Sequence, residues 1–116
     1  MDYTEQLRVV TLGDARRVEA LVSQEQILHR LDGRSVSIAR LGALIAHGGS
    51  VSSYGSEIQA ALSAGLSPPE VVEVLLAVAS VVGAPCLVTA APAVGLALGY
   101  DTEAALEQCD VPERAG

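Results

Sequence analysis

The sequence predicts an all-α domain, and three observations carry that expectation. No stretch alternates apolar and polar residues with the period of two that a half-exposed strand requires. Apolar residues instead recur three and four apart, which places them on one face of a helix. Glycines at 13, 48, 49, 65, 83 and 99 fall between these stretches, where a helix would end.

Taken in chain order, Asp2 to Gln26 is polar and reads as two helical pieces. Gly13 breaks it, and Asp14 is placed to cap the segment Ala15 to Val22. Leu28 and Leu31 lead to a turn-like Asp32-Gly33, with a structural role. A helix is expected over 35–47, with Val36, Ile38, Leu41, Leu44 and Ile45 mostly inward, ended by Gly48-Gly49. A second is expected over 50–64, with Tyr54, Ile58, Ala61 and Leu62 inward and Gly65 just past its end. Ser67-Pro68-Pro69-Glu70 then supplies an N-cap, prolines in the first turn and the glutamate of a capping box for a helix over 71–82. Gly83-Ala84-Pro85 interrupts it, and a further helix follows over 85–98, with Pro92 removing a backbone donor. Asp101 or Thr102 would cap a short helix through Cys109, and Val111 to Gly116 reads as a frayed tail.

The chain has 116 residues, enough for one domain that buries roughly two-thirds of the surface its unfolded form exposes. Half the residues are hydrophobic, but none is Phe or Trp, so the apolar mass is Ala, Val and Leu. That much small aliphatic surface in a small domain implies apolar area left over for a partner subunit. Fourteen acids against seven arginines give a net charge of −7, which repels phosphate and argues against nucleic acid. There is no lysine, so Schiff-base chemistry and a pyridoxal phosphate anchor are excluded. Cys86 and Cys109 form neither a C-x-x-C motif nor a disulfide framework. Met1 to Glu5 lacks the basic and then apolar pattern of a signal peptide, so a cytoplasmic protein is expected. No charge occurs between Glu73 and Asp101, long enough to cross a bilayer, but the interrupting glycines and prolines and the acidic flanks argue against a span.

The stretch from Ser53 to Leu75 carries the most specific pattern. Ala60-Ala61-Leu62-Ser63-Ala64-Gly65 ends one helix, and Glu70-Val71-Val72-Glu73-Val74-Leu75 lies in the next, after the Ser67 cap. Val82-Gly83-Ala84-Pro85 and Gly99-Tyr100-Asp101 follow, and Leu31 to Arg34 and Ala39 to Ala46 precede. In this order the motifs resemble the carboxymuconolactone decarboxylase and alkylhydroperoxidase-D-like family, over roughly Leu31 to Leu106. The resemblance implies an AhpD-like helical domain of 1–116, with N-terminal helices in 1–30, the family core in 31–106 and a tail in 107–116. It also implies a homo-oligomer, a trimer or a hexamer built from trimers.

Peroxidases of that family open the helix before A-A-L with C-x-x-C-x-x-x-H, where one thiolate attacks peroxide, a second thiol resolves it and the histidine moves a proton. Anchored on A-A-L, the motif falls on Ser50, Ser53 and Glu57. A serine hydroxyl neither ionises as a thiol does nor cycles through a disulfide, so dithiol peroxidase activity is not expected. The decarboxylase branch needs no thiol, and acid/base chemistry on a small carboxylate or lactone is what the resemblance leaves. The alternative is a non-catalytic oligomeric binding or scaffold protein of the same fold.

The residues singled out each admit two readings. Glu57 is a general acid/base beside Tyr54 and His47, or a solvated surface carboxylate. His47, at a helix C-terminus, is a cap or a proton carrier. Arg40 binds a substrate carboxylate through its planar fork or pairs across a subunit contact. Tyr54 orients a ligand or is a buried tyrosine with one hydrogen bond. Ser50 and Ser53 line the binding region or cap the helix start. Cys86 is a small hydrophobe or a lone reactive thiol. The expected site is thus catalytic Glu57, Tyr54 and His47 with Arg40, Ser50 and Ser53 for binding, and a small-molecule ligand. No cofactor and no metal are expected.

Overall fold

The computed structural model describes residues 2–23 and 30–99. Among them every regular element is a helix: α1 (Tyr3–Leu12), α2 (Ala15–Val22), α3 (Gly33–His47), α4 (Val51–Ser63), α5 (Pro68–Val82) and α6 (Ala84–Ala97). The expected terminal helix through Cys109 and the tail lie outside the described residues. The chain divides into two compact units, Met1–Asp32 and Gly33–Gly116.

In the first unit α1 and α2 pack together. Both are capped by aspartate, as the sequence led one to expect for Asp14. The Asp2 carboxylate accepts from the Glu5 N–H at 2.9 Å, and the Asp14 carboxylate accepts from those of Arg16 and Arg17.

The second unit is a four-helix arrangement in which α3 and α6 each pack against both α4 and α5. Each helix contributes a stripe at three- and four-residue spacing. Leu41 and Ile45 come from α3; Tyr54, Ile58 and Ala61 from α4; Val71, Val74 and Leu75 from α5; Ala90 and Val94 from α6, with Leu66 sealing the turn before α5. Leu41, Ile58 and Val71 are completely buried, each such burial being worth roughly 1.5–3 kcal/mol. Two expectations for α3 need correction. Asp32-Gly33 is not a turn, because Gly33 already begins the helix. Ile38 is exposed, and Ser37 takes the inward position, since 37, 41 and 45 are successive members of one i, i+4 row.

The α4–α5 connection follows from its residues. Gly65 sits at φ 103°, where a side chain would be strained, and this lets the chain close a Schellman turn. The Leu66 N–H donates to the Ala61 carbonyl at 3.0 Å and the Gly65 N–H to that of Leu62 at 3.1 Å. The capping box then starts α5: the Ser67 N–H donates to Glu70 Oε1 at 2.9 Å, and the Glu70 N–H donates to Ser67 Oγ at 3.3 Å. Arg34, on the first turn of α3, reaches this junction. Its Nη1 donates to the Gly65 carbonyl at 2.9 Å and to Glu70 Oε1 at 3.1 Å, while Nη2 bonds Oε2.

Gly83 separates α5 from α6. Pro92 lies inside α6, which continues through it as one helix. Helix α6 carries no charged side chain from Ala84 to Ala97, and its outer face presents Val88, 70% exposed, and Leu96 to solvent; Val72 and Leu76 of α5 are exposed as well. No helix among the described residues is long and apolar enough to cross a membrane.

Candidate functional site

Helices α3 and α4 form an αα-hairpin across the short link 48–50. Its register is marked by the Tyr54 hydroxyl, which donates to the Leu44 carbonyl at 3.4 Å. Counting outward from that level in antiparallel helices puts Arg40 beside Glu57 and Ile58, and His47 beside the first turn of α4. Arg40 and His47, seven apart, share a face of α3 about 10 Å apart along its axis. Ser52 with Ser56, and Ser53 with Glu57, share a face of α4 at i, i+4 spacing.

Between these faces lies an open groove of 670 Å³, lined by Arg40, Ala43, Leu44, His47, Ser52, Ser53, Ser56 and Glu57. Four of the six residues expected from the sequence therefore meet on one surface. Glu57 and Ser53 are half-buried; Arg40 and His47 are exposed. Among the described residues Arg40, His47 and Glu57 have neither an ion-pair nor a hydrogen-bond partner. His47 stands in the last turn of α3, where the Gly48 N–H donates to the Leu44 carbonyl at 2.7 Å.

The other two residues are placed differently. Ser50 is the N-cap of α4, its hydroxyl oxygen accepting from the Ser53 N–H at 3.1 Å and lying 3.0 Å from Ser53 Oγ. Ser53 thus receives the cap instead of providing it, and its hydroxyl remains on the groove wall. Tyr54 is 3% exposed and lies behind the groove, not among the residues lining it. Burial pushes its phenol above the ordinary range, and the nearby Cys86 thiol adds to the rise. Cys86 itself is free and half-buried on α6.

Ser52 and Ser56 escaped the sequence reading. Their signal was available: they sit one position before Ser53 and Glu57 at the same spacing and so widen the same polar face. The close approach of Gly49 to Leu44 was not legible. A Cβ on Gly49 would lie 2.6 Å from Leu44 Cδ1, so the bare backbone lets Leu44 lie along the groove floor.

A second hollow of 610 Å³ lies between the start of α5 and the end of α6. It is lined by Pro68, Pro69, Val72, Leu75, Ala91, Val94, Gly95, Leu98 and Gly99 and offers no polar side chain, hence no chemistry of its own. No group of three His, Cys, Asp or Glu side chains among the described residues is arranged to hold a metal ion. Comparison with known protein families, with curated proteins and with solved structures gave no match to this chain.

Proposed function

We propose that this protein binds a small carboxylate-bearing molecule in the α3–α4 groove and acts on it by acid/base chemistry of the carboxymuconolactone decarboxylase-like kind. The observation that carries the reading is the meeting of a guanidinium, an imidazole and a carboxylate, all uncommitted, on one concave surface. Arg40 supplies a planar fork suited to a carboxylate. Glu57 and His47 supply groups able to accept and return a proton, and the serines supply hydroxyls that can follow charge as it moves.

The family reading is supported by the order of its motifs and by the way they fold: A-A-L-x-A-G ends α4 in a Schellman turn, and the following serine and glutamate cap α5. Oxygen stands at positions 50 and 53, so the chemistry runs without a dithiol, and peroxide consumption coupled to dithiothreitol or lipoamide should not exceed that of the buffer. The uncharged outer face of α6 and the exposed Val72 and Leu76 of α5 support assembly into a homo-oligomer, a trimer or hexamer by the family resemblance.

A second reading, a binding or scaffold protein without catalysis, is favoured by one observation. The Tyr54 hydroxyl is committed to a backbone carbonyl behind the groove, which leaves fewer groups for proton transfer. Calorimetric titration with short carboxylates and carbon dioxide release from carboxylactones separate the two. Arg40→Gln is expected to remove binding in either case, and unchanged binding by that variant would overturn the proposal. Glu57→Gln is expected to remove turnover under the first reading; turnover absent from the unmodified protein that still binds establishes the second.

A further inference from the structure

The charges left open in the groove specify more than a carboxylate. Arg40 and Glu57 stand at the same level on facing helices, with the side chains of Ala43 and Leu44 between them and the turn. Neither is neutralised by the other. A ligand that sets its carboxylate on Arg40 must cover half-buried Glu57, and a carboxylate side chain only accepts hydrogen bonds. Covered by a hydrocarbon it would lose water and gain nothing; covered by a second carboxylate it would be repelled. Either outcome opposes binding. A ligand that brings a donor to Glu57 turns this cost into a charge-assisted hydrogen bond, made in a groove partly shielded from water.

We infer that the groove selects a short carboxylate that also carries a hydroxyl or ammonium group, the carboxylate on Arg40 and the donor on Glu57. The inference rests on the proposed carboxylate groove and sharpens it. The two heads line one groove without pairing within 4.0 Å, so a ligand that reaches both needs only a short spacer between its two groups. Ala43 and Leu44 give that spacer an apolar floor. His47 lies two turns from Arg40 and is not needed for this contact.

The test is a titration of the full chain, by calorimetry or by shifts of amide resonances, with butyrate, 4-hydroxybutyrate and 4-aminobutyrate. The two donor-bearing acids are expected to bind about tenfold tighter than butyrate, the gain of one hydrogen bond to a charged group. Glu57→Ala is expected to erase that difference. Glu57→Gln, which keeps an accepting oxygen but no charge, is expected to shrink the preference for both donor-bearing acids without erasing it. Arg40→Gln is expected to abolish all three. Circular dichroism matching the unmodified protein confirms that each variant folds; both positions face the groove and neither belongs to the core. Equal binding of all three acids, dependent on Arg40, would overturn this inference and leave the carboxylate groove standing. Absence of binding to any of them would overturn both.

Discussion

Arg34 and Glu70, thirty-six residues apart, close one hydrogen-bonded junction between the start of α3 and the start of α5. The guanidinium also holds the Gly65 carbonyl, so a single side chain ties the end of the α4 turn to the cap of α5. Arg40, less than two turns further along the same helix, is left open to the groove. One arginine of α3 is thus structural and the other is available.

Glu70 gives the junction a pH dependence. Hydrogen bonds from Arg34 first, then from the Ser67 N–H and hydroxyl, lower its carboxyl from an ordinary 4.5 to about 2. A carboxylate whose value is depressed on folding contributes stability that is fully present above the unfolded value and is lost as pH falls through the folded one. Urea midpoints of the unmodified protein should therefore drop between pH 4.5 and 2 by more than those of Glu70→Gln. Parallel curves for the two proteins would show that the ion pair is fully screened.

Tyr54 separates a packing role from a chemical one. Its ring belongs to the core, while its hydroxyl bond is long at 3.4 Å. Tyr54→Phe is expected to cost less than about 1 kcal/mol and to leave ligand binding unchanged. Tyr54→Ala, which opens a cavity, is expected to cost about 3–5 kcal/mol. Loss of binding in the phenylalanine variant, measured alongside its denaturation midpoint, would return the phenol to the site.

Two glycines of the α3–α5 region should answer alanine in opposite senses. Gly65 is held at positive φ by the Schellman turn, so Gly65→Ala is expected to lower stability by about 1–3 kcal/mol. Gly55 lies within α4 with open space where its Cβ would stand, so Gly55→Ala is expected to raise stability by up to about 1 kcal/mol. Thermal melts of the two variants beside the unmodified protein give both signs in one experiment.

Local chemistry was the legible part. Ser67 and Glu70 announce a capping box because the bonds they make span three residues, and Gly65 announces a helix end because few other residues tolerate its conformation. Periodicity found the inward face of α4 for the same reason, whereas the inward residues of α5 are known only from the packing. It failed at Ser37 and Ile38, where hydrophobicity and helical phase disagree and phase prevails. The Arg34–Glu70 pair was invisible because nothing local links residues so far apart. For the groove, the residue types at 40, 47, 53 and 57 were readable, but their shared surface depends on the register of two helices. The same register set Tyr54 behind that surface, which its residue type could not tell.

Helix α6 has one consequence for how the molecule meets others. Fixed charge on the described chain stops at Glu73, so the face built from Val88 and Leu96 carries no charge of its own. Assembly of like-charged copies through it would tighten as salt screens the net charge of −7, tighten on gentle warming and loosen in the cold. The Arg40 groove would behave in the opposite way toward salt, so ionic strength alone distinguishes the two sides of the protein.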